Sequence, residues 1–210
     1  VAGEVVMNRK YAATEIRKEQ IINAAADLIV GWGGEHLTIK NLAAHIGLSE
    51  AAIYRHFRTK TEIYHFLIRH MQQMLLEELH LEELQMDNRN ITVNAIRSLI
   101  FRHVEAIERT SAVEFQAMAE IISIGDRSLY ADMHNMISQY IAGIRCIIEE
   151  GRTAGLVKKE VDPFQAALLL FSIISGLANL WVLNEGSFKL SRRFRELWPL
   201  YSRMVFSASK

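Results

Sequence analysis

Residues 37–60, LTIKNLAAHIGLSEAAIYRHFRTK, constrain the fold more tightly than any other stretch, because apolar residues, a glycine and hydroxyl caps follow one another there at helical spacing. Thr38 can cap a first helix on which Ile39, Leu42, Ala43 and Ile46 share one face. Gly47 then offers a position where the chain turns at positive φ without a Cβ penalty, and Leu48 follows as an apolar plug under the turn. Ser49 can cap a second helix, with Ile53 and Phe57 directed to a core and Glu50, Ala51, Ala52 and Arg55 directed away from it. Small side chains at the start of a helix let its backbone sit deep in a major groove, where alanine methyls meet thymine methyls and a helix N-terminus approaches phosphate. Tyr54, His56 and Lys60 add a phenol, an imidazole and an ammonium, all phosphate-contact chemistries.

Residues 34–63, GEHLTIKNLAAHIGLSEAAIYRHFRTKTEI, resemble the DNA-binding domain of the TetR family of transcription regulators. The resemblance rests on the turn glycine, the two hydroxyl caps, the Tyr54-x-His56-Phe57 run and Lys60 three residues later, a tail that packing alone does not require. It implies an all-α fold of about nine helices, with an N-terminal three-helix DNA-binding domain containing a helix-turn-helix and a larger C-terminal helical domain for ligand binding and dimerisation. By the same resemblance Thr38, Tyr54, His56 and Lys60 hold phosphates, while Ser49, Glu50, Ala51, Ala52 and Arg55 face bases and Lys40 joins the DNA-facing set. The family commonly has glycine where Ala51 stands; alanine favours the helix.

Composition narrows the mode of binding. The chain has 210 residues, half of them apolar and only 2 prolines, enough for a substantial core in one domain or two. Its net charge is zero, with 8 Lys and Arg against 6 Asp and Glu in residues 1–60 and 16 against 18 in the remainder. So weak an asymmetry argues against a protein that coats nucleic acid without preference by charge alone, and local groups must do the work. Cys146 is the single cysteine, which excludes an internal disulfide and a cysteine-based zinc site. The opening VAGEVVMNRKYAATEIRK is mixed and polar, without the pattern of a signal peptide, so the expected compartment is the cytoplasm.

The expected domains are a flexible arm over 1–10, a helix-turn-helix domain over 11–58 and a regulatory and dimerisation domain over 59–210. Arg9 and Lys10 of the arm could reach a minor groove or belong to a plain tail. Residues 15–31 carry Ile16, Ile21, Ile22, Ala25, Leu28 and Ile29 on a helical stripe, and Gly31, Gly33 and Gly34 follow as a cap and turn. Thr59 caps a long fourth helix expected to reach about Glu83, with Ile63, Phe66, Leu67, His70 and Met74 inward. After a polar break at 85–90, helices fit 91–109, 112–123 and 127–150, ended by Thr110 and Ser111, by Gly125 and Asp126, and by Gly151 and Gly155.

Asp162 followed by Pro163 starts a segment, 163–184, that contains no charge. It is long enough to span a membrane. Against that reading, Gln165, Ser172, Ser175, Asn179 and Asn184 interrupt it and basic residues are missing on its immediate N-terminal side. No membrane partner is expected. A helix apolar all round needs cover all round, more than one chain supplies, which points to a second copy. Ser172, Ser175, Gly176 and Asn179 form a stripe for close helix approach, and helix 191–207, interrupted at Pro199, adds Phe194, Trp198 and Tyr201. A homodimer of this kind resembles the family and implies a near-palindromic operator.

Phe101, Phe115, Met118, Met133, Met136, Tyr140 and Trp181 are large, adaptable side chains that suit either an apolar ligand cavity or plain core. His103 shares the stripe of Ile96, Leu99 and Ile107, as a satisfied core histidine or a polar ligand anchor. His65 and His70 are five residues apart with no completing carboxylates, so neither metal nor other cofactor is expected. No nucleophile elbow, phosphate loop or zinc-hydrolase motif is present, and the chain does not read as an enzyme. The sequence thus describes a regulator, with repression released by a small apolar or amphipathic effector as the leading mechanism. The alternatives are an adaptor in nucleoid organisation or division control without a ligand, and a helical interaction protein without DNA.

Overall fold

The computed structural model describes residues 2–77, 79, 91–110 and 112–207, and their side chains from residue 14 onward except at 114. Nine α-helices are found among the described residues: α1 Ala2–Trp32, α2 Ile39–His45, α3 Glu50–Tyr54, α4 Lys60–Glu77, α5 Val93–Arg109, α6 Val113–Ile124, α7 Arg127–Thr153, α8 Pro163–Leu183 and α9 Leu190–Val205. A 3-10 turn at Gly34–His36 and an isolated antiparallel bridge between Val157 and Phe206 complete the regular structure. The all-α expectation holds because apolar residues recur at helical spacing and most helix starts carry their own caps. Thr38, Ser49, Thr59, Thr92 and Asp162 each accept a hydrogen bond from a first-turn N–H.

The chain forms two compact units, Val1–His70 with Gln116–Asp132, and Met71–Phe115 with Met133–Lys210. The sequence boundary after residue 58 is therefore not where the compact units divide. Ile63, Tyr64, Leu67 and Ile68 of α4 are buried and belong to the first unit, as do buried Ala117, Ile121 and Leu129. Residues 2–10, read above as an arm, lie within α1.

In the first unit α1 contributes Ile21, Ile22, Ala25, Leu28 and Ile29 to the core, joined by Leu37, Leu42, Ala43, Ile53 and Phe57. Ile16, expected on the same stripe, is instead exposed. Gly34 is buried against Glu120, where any Cβ would overlap the Glu120 side chain. Tyr64, also buried, donates its hydroxyl to Glu120 Oε1 at 3.3 Å. Burial, reinforced by the Glu120 carboxylate, pushes the Tyr64 phenol well above its ordinary pKa.

In the second unit Ile96, Leu99, Ile100, Val104 and Ile107 of α5 are buried, as are Met136, Tyr140, Ile144 and Ile148 of α7 and Leu170 and Ile174 of α8. Gly151 does not end a helix as expected. It lies inside α7 and is buried, where an added Cβ would press on Ile96 Cδ1 at 2.8 Å; Gly155, at φ +73, makes the turn. Helix α9 likewise runs through Pro199, which sits on its exposed side.

Candidate nucleic-acid interface

Helices α2 and α3 meet at Gly47, whose φ of +68 lies in the left-handed region that a side chain disfavours. The caps then set where each helix begins: Thr38 Oγ accepts from the Asn41 N–H at 3.1 Å and Ser49 Oγ from the Ala52 N–H at 3.2 Å. Asn41 Nδ2 also donates to the His36 carbonyl at 2.8 Å, tying α2 to the preceding turn. Each capping hydroxyl keeps its own proton to donate, so Thr38 and Ser49 can each cap a helix and donate to a further acceptor at once.

Ile53 and Phe57 anchor α3 from beneath. The other side is left open: Glu50, Ala51, Tyr54 and Arg55 are exposed and Ala52 is half-buried. Tyr54 keeps half its surface in solvent, a large exposure for an aromatic side chain that no packing requirement explains. Lys40 is exposed on α2. Lys60, at the start of α4, holds its ammonium 5.4 Å from the centre of the Tyr64 ring, a cation–π contact that orders a charge which would otherwise roam. Helix α4 is capped there by Thr59, whose Oγ accepts from the Glu62 N–H at 3.1 Å, while Glu62 Oε2 accepts from the Arg58 N–H at 2.6 Å.

Sequence reasoning missed the basic contribution of α1. Partial burial and then the charges of Arg17, Arg55 and Lys18 disfavour the His56 imidazolium and lower its pKa below the ordinary histidine value. Arg17 and Lys18 thus sit within electrostatic reach of α3. Nothing in the linear pattern announced this, because the pairing arises only when α1 folds back on the reading helix. Lys18 is further held by Glu15 at 2.9 Å and lies over the Phe66 ring, whereas Arg17 donates to the neutral Gln20 amide.

The residues expected in the C-terminal half are only partly brought together. His103 and Tyr140 meet in the core, with Nε2 2.5 Å from the phenol oxygen, and the Tyr140 ring meets Phe171 edge-on. Phe115, Met133 and Met136 are buried in the same unit, and Met118 belongs to the other. Phe101 turns to α9, stacking edge-on against Phe194 and Trp198 with centroids 5.6 Å apart. Trp181 is drawn away to the α8–α9 turn, where its Nε1 donates to the Phe188 carbonyl at 2.7 Å. Helix α8 leaves Ser172, Gly176 and Asn179 exposed beside Phe164, Leu168, Leu180 and Leu183, with Ser175 half-buried.

One expectation is corrected. Phe194, Trp198 and Tyr201 do not lie on an open dimer face but are 2, 6 and 2% exposed, buried in the protomer's own core with Phe101 and Phe206. Their stripe needs one apolar partner surface, and α5 supplies it, with an exposed ion pair of Arg195 and Glu105 at its edge. The outward apolar residues of α9 are Leu200 and Met204 instead.

Residues 21–66 match the sequence model of bacterial regulatory proteins of the tetR family, and residues 56–203 match that of the C-terminal region of YsiA-like proteins. Nucleoid occlusion factor SlmA of Sodalis glossinidius is 24% identical over 92% of this chain and 97% of its own. SlmA of Serratia proteamaculans is 25% identical over 95% of this chain and 100% of its own. Among solved structures, a TetR transcription regulator from Haloarcula marismortui superposes with a TM-score of 0.75 at 17% identity, covering 92% of this chain and all of that one. The regulator FadR from Bacillus subtilis, solved in complex with stearoyl-CoA, gives 0.71 at 19% identity, covering 91% and 99%. The capped α2–α3 pair with its open reading face, followed by a matching C-terminal region, therefore places this chain in the tetR family of DNA-binding bacterial regulators.

Proposed function

We propose that this chain is a transcription repressor that binds a near-palindromic operator as a homodimer and releases it when a small apolar or amphipathic effector enters the C-terminal unit. The carrying observation is the pair of surfaces left without cover: the small-residue face of α3, shaped for a groove, and the apolar stripe of α8, shaped for another helix. One reading head without net charge behind it holds DNA weakly, and a second copy supplies the missing contacts. Thr38, Arg17, Tyr54, His56 and Lys60 hold phosphates in this scheme. Ala51 and Ala52 meet thymine methyls, and Glu50 accepts from a cytosine amino group. The membrane alternative for Pro163–Leu183 rests on length and mean hydropathy of 2.1 alone. The dimer accounts for the same apolar surface while keeping the α8 residues Ala167, Leu170 and Ile174 in the core.

For the effector, the buried His103–Tyr140 pair, with the Phe171 ring edge-on to Tyr140, offers a polar anchor. The ligand of the B. subtilis FadR structure, an acyl chain with a charged head, supports an amphipathic molecule of that class. A second reading is favoured by the SlmA relatives, whose similarity runs along nearly the whole chain: a DNA-bound factor in nucleoid occlusion with no small effector. Two measurements separate them. Genome-wide mapping of bound sites yields a few promoter-proximal operators for the repressor and many dispersed sites for the nucleoid factor. Fluorescence anisotropy on the mapped site, titrated with acyl-CoAs of graded length, shows release for the first and none for the second.

A further inference from the structure

The side chains around His65 form a continuous hydrogen-bond network between α4 and the start of α7. His65, on α4, has Nδ1 2.7 Å from Asp132 Oδ2 and Nε2 3.2 Å from Ser128 Oγ. Ser128 Oγ donates to Asp126 Oδ1 at 2.7 Å, and the same oxygen accepts from the Ser128 N–H at 2.8 Å. These bonds, the hydroxyl first and the N–H next, hold Asp126 below the usual carboxylate range, so it is an acceptor only. A hydroxyl carries one proton. With that proton committed to Asp126, Ser128 Oγ can only accept from an Nε2–H, while the Asp132 carboxylate accepts from Nδ1–H. The imidazolium alone satisfies every bond at once.

We propose that His65, Asp132, Ser128 and Asp126 form a proton-controlled latch that ties α4 to the first two turns of α7 while the imidazole is doubly protonated and slackens when one proton leaves. The proton departs to solvent, since a quarter of the His65 side chain is exposed. Nε2 then bears a lone pair, and the single Ser128 proton can serve Nε2 or Asp126 but not both. One link of the chain is lost either way.

Several other charged groups on these helices have partners of their own. On α4, Glu62 is turned to the Arg58 N–H and the Arg69 guanidinium lies on the Phe66 ring. On α1, Lys18 is held by Glu15 over Phe66, and on α7 Arg127 is exposed. A nucleophilic role for Ser128 is disfavoured because Asp126, not His65, takes its proton. No metal-binding group of three or more ligands exists among the described residues. Histidine is the side chain suited to such a change between about pH 5 and 8. Because α4 starts at the phosphate-contact residue Lys60, the latch also bears on the reading head; that consequence, unlike the latch itself, rests on the DNA-binding reading.

The test uses nitrogen-15 NMR of the imidazole and hydrogen exchange in the full chain between about pH 5.5 and 8.5. Both ring nitrogens carry protons at the acid end. As one is lost, exchange at Leu129 and Tyr130, corrected for intrinsic chemistry, rises by about tenfold, the size of one charge-assisted hydrogen bond. Asp132→Asn moves the transition to lower pH, and His65→Gln leaves the corrected exchange flat. A ring that stays neutral with Nε2 accepting throughout, or exchange at the start of α7 indifferent to pH, overturns the latch. In a His56→Gln background, operator affinity then falls with rising pH and Asp132→Asn alters that profile. Constant affinity beside a titrating His65 refutes transmission to DNA. A chain that titrates at His65 but binds no DNA at any pH refutes the DNA reading and leaves the latch standing.

Discussion

Lys60 offers the sharpest test of the DNA interface, because its charge and its packing can be separated. The ammonium lies over the Tyr64 ring, so alanine would remove both a phosphate contact and a cation–π contact worth about 0.5–1 kcal/mol. Methionine keeps an unbranched stem on the ring and removes only the charge. Each lost phosphate contact lowers the slope of log affinity against log salt by about 0.9, hence by about 1.8 in a dimer. Between about 1 M and 0.1 M salt that difference amounts to about 60-fold in affinity. Lys60→Met should therefore bind about 60-fold more weakly at 0.1 M salt, approach the parent near 1 M, and melt at nearly the same temperature. Because phosphates carry no sequence information, unrelated DNA should lose affinity by a similar factor. Anisotropy titrations on operator and scrambled duplexes across a salt series measure all of this. An unchanged slope, or a loss confined to the operator, would refute the assignment of Lys60 to phosphate.

Other consequences can be read the same way. In the free protein His56 has a depressed pKa, so as pH falls through about 6.5 the unfolded chain takes up its proton first and this group's contribution to stability, present above that value, declines. Phosphates held at His56, as proposed, would reverse the preference. DNA binding then takes up protons and tightens as pH falls through about 6.5, and His56→Gln removes that part of the uptake, as calorimetry in buffers of different ionisation enthalpy can show. Gly176 has no neighbour within 4 Å of a would-be Cβ, so Gly176→Arg folds normally, yet a dimer through α8 would bury its charge; sedimentation should show monomers, and an intact dimer would exclude this face. Gly47→Ala places a side chain at φ +68 and should cost about 1–2 kcal/mol in thermal unfolding, although nothing within 4 Å opposes the Cβ. Ser49→Ala removes the α3 cap and should cost about 1 kcal/mol, with operator affinity falling further than stability accounts for.

Local chemistry was legible from one strand of letters. Helix starts are decided by hydroxyl and carboxylate caps that reach three residues at most, so Thr38, Ser49, Thr59 and Asp162 announced their roles, and Gly47 its turn. The outward face of α3 was legible for the same reason: once Ile53 and Phe57 face inward, helical geometry turns Glu50, Ala51 and Arg55 outward. What the sequence left open was the partner of each apolar stripe. Phe194, Trp198 and Tyr201 are as suited to a second copy as to α5, because hydrophobic burial has no direction and records no address. Only folding settled that α5 covers them, that parts of α4 and α6 join the unit of the reading head, and that Arg17 comes near His56. The His65 network is the extreme case, since its four members are scattered over nearly seventy positions and acquire a common proton only when α4 and α7 meet.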